Sequence, residues 1–169
     1  FFCPDPKVTC LMIKAIEEAQ KEGDSLGGIV ELWVHGVPAG FGDPVFDKLD
    51  ADLAKALISI GAVKGIEFGL GFALTSMRGS EANDEFIIKQ NGKVGTRTNK
   101  AGGIVGGISN GEDIILRLAI KPTPSISKVQ NTVDIKGQTV ALEIQGRHDP
   151  VICPRIIPVA EAMVALVLV

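Results

Sequence analysis

Glycine is concentrated in the middle of this chain, and its spacing limits what that part can fold into. Of the 20 glycines among 169 residues, many lie between Gly69 and Gly111, including the pairs Gly102-Gly103 and Gly106-Gly107. Glycine allows tight turns and close backbone approach, but it weakens the interior of a helix or a strand. The middle of the chain is therefore expected to form short strands joined by loops.

Periodicity predicts longer elements elsewhere. Asp5-Pro6 offers a cap and a first-turn proline for a helix that continues to Gly23, and a second helix is expected from Asp47 to Gly61. A final helix is expected from about Pro158. The predicted strands are residues 29–37, 63–68, 86–90, 94–97, 114–120, 132–135 and 139–144. This order predicts a single domain over residues 1–169, of the α+β class, with helices layered against antiparallel sheets.

Charge and cysteine content argue against several classes of function. A net charge of −3, without any run of Lys or Arg, leaves no basic surface for a nucleic-acid backbone. The apolar carboxy-terminal stretch is too short to cross a bilayer and contains Pro158 and Glu161. Cys3, Cys10 and Cys153 lack the spacing of a zinc site or a redox pair. We therefore expect reduced thiols in a cytoplasmic protein, with no metal, nucleic-acid or membrane partner.

Two segments are candidates for binding an anion or a cofactor. The small residues of segment 98–111 allow backbone N–H groups to approach an anion or a flat ring, although a glycine-rich crossover between packed layers explains the same sequence. The run Lys121-Pro122-Thr123-Pro124-Ser125 offers a cation and two hydroxyl groups for a phosphate. Taken alone, it is better interpreted as a rigid loop that leaves a strand.

A third candidate, Arg147-His148-Asp149, places a guanidinium, an imidazole and a carboxylate in one predicted loop. Sites for anions and for proton transfer use these groups. A turn closed by an ion pair between Arg147 and Asp149 is the alternative. We interpret His35, on a predicted strand, as structural, and the polar segment 78–85 as a capped, solvated turn rather than a calcium site.

Taken in order, these segments resemble the signatures of the chorismate synthase family. The matching sequences are TNKAGGIVGGISNG at 98–111, KPTPSI at 121–126 and GRHDP at 146–150. Further similarity extends from CPDP at 3–6 to PVAEAM at 158–163, and so covers nearly the whole chain. The resemblance implies the family's β-α-β sandwich and, for the full enzyme, a homotetramer.

The resemblance also implies a reaction and a cofactor. Family members are lyases that remove phosphate from 5-enolpyruvylshikimate 3-phosphate by anti-1,4-elimination to give chorismate, and they require reduced FMN. Arg147 and Asp149 are the implied catalytic residues, with Asp149 in a proton relay near the flavin. The implied flavin contacts are Gly61, Ala62, Gly107, Lys121, Pro122, Thr123, Pro124, Ser125 and Arg147.

The family has a long amino-terminal portion that this sequence does not match. That portion carries two histidines that act as acids and several arginines that bind the substrate. The chain begins at Phe1 without a Met and stops at Val169 without a helix-stopping residue. We therefore expect the carboxy-terminal part of a chorismate synthase, inactive by itself. The alternatives are a domain that binds flavin or a phosphorylated ligand without elimination chemistry, and a purely structural remnant.

Overall fold

Residues 2–169 are described by a computed structural model, and Phe1 lies outside this range. The helices are α1 (Pro6–Lys21), α2 (Leu49–Ile58), α3 (Gly79–Ala82) and α4 (Cys153–Leu168), with a 3₁₀ helix at Gly71–Ser76. The strands are β1 (Gly28–Val34), β2 (Val63–Phe68), β3 (Phe86–Ile88), β4 (Val94–Thr96), β5 (Ile104–Val105), β6 (Ile108–Ser109), β7 (Ile114–Ile120), β8 (Gln130–Val133) and β9 (Thr139–Leu142). The predicted α+β class with antiparallel sheets is confirmed.

The main sheet has β7 at its centre, between β1 and β2 and antiparallel to both. Ile120, at the end of β7, pairs with Gly28 at the start of β1 and with Val63 at the start of β2. Because both neighbours run opposite to β7, the chain leaving β7 meets the chain entering β1 and β2 at one end of the sheet. We call this the Ile120 end, and the opposite end the Ile114 end.

Helices α2 and α4 cover one face of this sheet. Leu53 and Leu57 of α2 and Ala160 of α4 share one apolar core with Leu116 and Leu118 of β7, and each of these five residues has 0% exposure. Burial alternates along β7, as a strand with one covered face requires. The core therefore fixes the orientation of the sheet relative to the two helices.

Helix α1 begins as the sequence predicts but packs differently. The Asp5 carboxylate accepts hydrogen bonds from the backbone N–H groups of Lys7 at 2.8 Å and Val8 at 3.3 Å, which satisfies two unpaired donors of the first turn. Leu11 and Met12, on the predicted apolar face, are exposed. The helix is confirmed, but most of its apolar face lies uncovered by residues 2–169.

The start of α2 differs from the prediction. Asp47 does not cap the helix: Lys48 is the residue before its first turn, and no side chain makes a capping hydrogen bond there. The backbone N–H and C=O of Asp47 are bonded to Asp43, at 3.1 and 2.7 Å. The first N–H of α2, from Leu49, donates instead to the carbonyl oxygen of Gly107 at 2.8 Å. The carbonyl oxygen of Gly107, far away in sequence, therefore caps α2 in place of the neighbouring Asp47 carboxylate that the sequence predicts.

Helix α4 begins at Cys153, earlier than the predicted start at Pro158. Pro154 occupies the first turn, where a proline is favourable because its missing N–H would be unpaired anyway. Pro158 lies inside the helix and removes one backbone hydrogen bond. No helix within residues 2–169 is both long and apolar enough to span a membrane.

Two hairpins project from this framework. Strands β3 and β4 pair around Asn91-Gly92, as predicted. Strands β8 and β9 pair across a turn in which Asp134 accepts backbone hydrogen bonds from Lys136 and Gln138, at 2.8 and 2.9 Å. All four residues of β9 are exposed, so the rest of the described chain leaves this second hairpin largely uncovered.

Candidate functional site

Three chain segments meet at the Ile120 end of the sheet: the connector 24–27 before β1, Gly61-Ala62 before β2, and the loop 121–125 after β7. The backbone N–H of Lys121 donates to the carbonyl oxygen of Ala62 at 2.9 Å. The Ser25 hydroxyl donates to the carbonyl oxygen of Thr123 at 2.6 Å. The structure therefore brings together the predicted ligand residues of two separate segments.

The loop 147–150 is attached to the same connector. The backbone N–H of Leu26 donates to the carbonyl oxygen of Pro150 at 2.7 Å, and Leu26 forms a parallel bridge with Val151. The connector 24–27 thus contacts the loop 121–125 through Ser25 and the loop 147–150 through Leu26. Two loops that are far apart in sequence are therefore hydrogen-bonded to the same short segment.

Ala62 has an unusual backbone conformation for a residue other than glycine. Its φ is +73°, in the left-handed region, which costs a non-glycine residue about 1–2 kcal/mol. The neighbouring Gly61 is exposed, and nothing lies within 4 Å of where its Cβ would be. Strain of this kind persists where surrounding contacts fix it, and the hydrogen bond from Lys121 is one such contact.

Several polar groups in these loops have no partner within residues 2–169. Lys121 and Arg147 are exposed, and neither takes part in an ion pair there. The hydroxyl of Thr123 is buried and has no hydrogen-bond partner, an arrangement that costs free energy unless a ligand satisfies it. Two unpaired cations and a buried hydroxyl are a suitable donor set for a phosphate group.

Asp149 pairs with a residue that the sequence did not single out. Its Oδ2 lies 2.7 Å from Nη1 of Arg155, in the first turn of α4. The alternative interpretation, an ion pair between Arg147 and Asp149, is therefore wrong. Arg155 was missed because the helix was expected to begin at Pro158. The neighbouring His148 has its Nε2 2.8 Å from the carbonyl oxygen of Ile144.

Gly107 lies apart from the other predicted ligand residues. Its carbonyl oxygen accepts from Leu49 at the start of α2, whereas Gly61 follows the end of that helix, so the two glycines are separated by roughly the 15 Å length of α2. Its φ is +85°, and a Cβ would collide with the side chain of Lys48. These contacts are those of a crossover between packed layers.

The segment 98–103 is held at the Ile114 end by Asp84. The Asp84 carboxylate accepts from the backbone N–H groups of Lys100 and Ala101, both at 2.8 Å, and from the Thr98 hydroxyl at 2.7 Å. Burial acts to raise the pKa of Asp84, but these three hydrogen bonds outweigh it, and the pKa lies below its usual value. Asp84 is buried, so the prediction of a fully solvated turn is wrong at this residue.

Asn99, itself part of the segment 98–103, also holds this segment in place. Its side-chain amide donates to the carbonyl oxygen of Asp113 at 2.8 Å, and its Oδ1 accepts from the backbone N–H of Gly103 at 2.7 Å. His35 also lies at this end, with Nδ1 3.0 Å from the Asp113 carboxylate. It follows β1 rather than lying on it, and it is exposed.

Other sites are less favoured by the structure. The part of the chain that the structure describes holds no group of three or more His, Cys, Asp or Glu side chains placed to bind a metal ion. An apolar cavity of about 600 Å³ lies between α1, β1 and the start of α4, with Met12, Trp33 and Cys153 among its lining residues. None of the predicted flavin contacts lines it.

The sequence profile of the family described as "Chorismate synthase" matches residues 1–169. The chain belongs to the chorismate synthase family. The chorismate synthase of Chloroflexus aggregans is 55% identical over 166 residues, which are 98% of this chain and 46% of that protein. The chorismate synthase of Methanosarcina mazei is 60% identical over 166 residues, which are 98% of this chain and 45% of that protein.

A solved structure supports the same membership. It is described as "Crystal Structure of Chorismate Synthase", and it matches with a TM-score of 0.78 and 32% sequence identity over 98% of this chain and 42% of that chain. The chain thus spans less than half the length of the chorismate synthases that it matches. The predicted family and the predicted fold class are both confirmed.

Proposed function

We propose that the protein containing this chain is a chorismate synthase. It would convert 5-enolpyruvylshikimate 3-phosphate to chorismate and phosphate by anti-1,4-elimination, with loss of a proton at C6, in the presence of reduced FMN. This chain would supply part of the flavin site and two groups that act near the reacting atoms. The observation that carries the proposal is the grouping of four segments at the Ile120 end: the connector 24–27, Gly61-Ala62, the loop 121–125 and the loop 147–150. These loops carry two cations and a buried hydroxyl that have no partner within residues 2–169.

Residues of the loop 121–125 would bind the flavin phosphate. Lys121 offers a positive charge, and Thr123 and Ser125 offer hydroxyl donors. Pro122 and Pro124 limit the loop to few conformations, which lowers the entropy lost on binding. Ala62, bonded to the backbone of Lys121, would place Gly61-Ala62 against the same ligand, where the small side chains allow close approach.

The position of Gly107 constrains how the flavin would lie. FMN is elongated, with its phosphate at one end and its ring system at the other. A flavin with its phosphate at the loop 121–125 could meet Gly107 only by extending along α2, since Gly107 lies at the start of that helix and Gly61 beyond its end. Gly107 is therefore proposed as a contact of the ring end.

Arg147 and Asp149 would act nearer to the reaction. When bound, reduced FMN would lend electron density to the carbon–oxygen bond that breaks. Arg147, exposed and unpaired within the described residues, would stabilise negative charge as phosphate leaves. Asp149, oriented by Arg155 at 2.7 Å, would accept and pass on the proton released from the substrate.

The remaining groups of the site would come from the rest of the protein, because this chain spans 46% of the C. aggregans relative. We propose a homotetramer for the full-length protein. The exposed apolar residues of α1, such as Leu11 and Met12, support burial of this surface against further protein. The 169-residue chain by itself is expected to form no chorismate.

A flavin and substrate titration combined with a turnover assay tests the proposal. The full-length protein should bind FMN saturably and form chorismate from 5-enolpyruvylshikimate 3-phosphate once the flavin is reduced. Saturable FMN binding without turnover would favour a flavin-binding domain without lyase chemistry. Binding of neither ligand would favour a structural role. Turnover by the isolated 169-residue chain would contradict the expectation that the rest of the protein supplies part of the active site.

A further inference from the structure

Ser25 is a buried serine with one specific contact. Its side chain lies at the Ile120 end of the sheet, the residue is 8% exposed, and its hydroxyl donates to the carbonyl oxygen of Thr123 at 2.6 Å. The two residues are 98 positions apart, so the bond joins two separate segments. Nothing in the reaction proposed above uses Ser25 directly.

The loop that Ser25 contacts has few other internal constraints. Pro122 and Pro124 have no backbone N–H to donate, and the N–H of Lys121 is already bonded to Ala62. The Ser25 bond therefore holds the peptide group between the two prolines. That same residue, Thr123, carries the buried hydroxyl without a partner in the described chain.

The connector that carries Ser25 is itself firmly placed. A Cβ at Gly27 would collide with the carbonyl oxygen of Ile120 and lie 3.1 Å from Pro122, so the connector packs directly on the chain leaving β7. On the other side, Lys128 lies 2.8 Å from Asp24 and 3.1 Å from Glu22. Ser25 thus donates from a fixed position rather than from a loose loop.

We infer that Ser25 is a positioning residue for phosphate recognition: its hydroxyl fixes the Thr123 peptide, and this aligns the loop 121–125 on the phosphate of the ligand. The inference rests on the proposed function, because it assigns the flavin phosphate to that loop. Ser25 acts through Thr123 and does not itself touch the ligand. Its loss would therefore weaken recognition of the phosphate group more than recognition of the flavin ring.

Comparison of two flavins tests this assignment. FMN carries the phosphate and riboflavin does not, and binding of both to the full-length protein is measurable by quenching of flavin fluorescence. Ser25→Ala should raise the Kd for FMN about five- to tenfold, the effect of one hydrogen bond on an equilibrium constant. The Kd for riboflavin should change less than about twofold, so the preference for FMN should fall.

Ser59 provides a control for the loss of a serine hydroxyl. Its hydroxyl donates to the carbonyl oxygen of Ala56 at 2.6 Å, the same length as the Ser25 bond, but it lies at the end of α2 and not in the connector. Ser59→Ala should leave both dissociation constants unchanged. Ser25→Cys keeps a side chain of similar size with a weaker donor, and it should give an FMN preference between those of the wild type and Ser25→Ala.

The outcomes separate the two claims. Equal weakening of FMN and riboflavin binding, or no change in either, would overturn the role of Ser25 while leaving the proposed function intact. Failure of the wild-type protein to bind FMN would remove the proposed function as well. If Ser25→Ala does not fold, the ratio measured for Ser25→Cys decides in the same way.

Discussion

Asp149 and Arg155 form an ion pair across the boundary between the loop 147–150 and helix α4, with Oδ2 and Nη1 2.7 Å apart. The Arg155 side chain is 65% exposed and that of Asp149 is 28% exposed. An ion pair so accessible to solvent stabilises a fold by less than about 1 kcal/mol. Its main physical effect is to orient the Asp149 carboxylate.

The first prediction concerns this pair in the full-length protein. Arg155→Gln should lower the rate of chorismate formation about tenfold, which is within the range of interaction energies measured for residues in contact. It should change the free energy of unfolding little. In an Asp149→Asn background the same substitution should have no further effect, because Arg155 acts through that carboxylate. Steady-state kinetics of the four proteins measure this, and equal losses in both backgrounds would contradict it.

The second prediction concerns Arg147. Arg147→Ala should lower kcat/KM by about a hundredfold, the usual effect of removing one donor that stabilises developing negative charge. It should change the free energy of unfolding by no more than about 0.5 kcal/mol, since the residue is exposed. Arg147→Lys should recover part of the activity, because the charge remains but the planar fork is lost.

Arg97 is a suitable control for that experiment. It is an exposed arginine that pairs with Glu85 at 3.0 Å, and it lies outside the loop 147–150 and outside the three segments at the Ile120 end. Arg97→Ala should leave kinetics near normal. If Arg147→Ala and Arg97→Ala behaved alike, the assignment of Arg147 to the site would be wrong.

The third prediction concerns Asp84 and the dependence of stability on pH. The pKa of Asp84 is lowered in the folded protein, where hydrogen bonds to its charged form outweigh burial. Its contribution to stability is therefore fully present above the unfolded value of about 3.9, and it is lost as the pH falls through the lower folded value. Asp84→Asn should lower the free energy of unfolding at pH 7 by about 1–3 kcal/mol.

Urea unfolding at two pH values measures this effect. The difference between the wild type and Asp84→Asn should narrow between pH 7 and pH 3, because below the unfolded pKa the unfolded wild-type chain binds a proton at Asp84 more readily than the folded protein does. A difference that stayed constant over this range would show that the charge of Asp84 is not what stabilises the segment 98–103.

The fourth prediction concerns close packing of two glycines. Gly69 has φ +55°, and a Cβ there would lie 2.5 Å from the backbone nitrogen of Gly102. Gly69→Ala should therefore destabilise the fold by more than about 2 kcal/mol, since strain and collision add. Gly79→Ala, in helix α3 with nothing within 4 Å of the new methyl group, should leave stability equal or slightly higher. Thermal unfolding of both variants is the measurement.

Elements with strong local patterns could be predicted from the sequence. The bounds of β2 and β7 agree with the predicted 63–68 and 114–120. β7 is a mainly apolar run with three isoleucines, and glycines at 61 and 69 flank β2. The cap of α1 by Asp5 was also predictable, since donor and acceptor lie within three positions of each other. Local signals specify local hydrogen bonds.

Contacts between distant segments could not be predicted in this way. The bond from Ser25 to Thr123, the capping of α2 by Gly107 and the burial of Asp84 all join segments that no spacing rule relates. Arg155 was missed because an error in the start of α4 left it outside the helix. The resemblance drew attention to the loop 121–125, but the support beneath that loop became evident only in three dimensions.

The hairpin of β8 and β9 lies in the sequence between the loops 121–125 and 147–150, yet both loops are bonded to the connector 24–27. Their separation is therefore set by the connector 24–27 and not by the length of the hairpin. Loop-closure entropy changes only slowly with loop length. A tag or reporter domain inserted in the turn of this hairpin should therefore leave both loops in place, because the connector 24–27 holds each of them by a hydrogen bond.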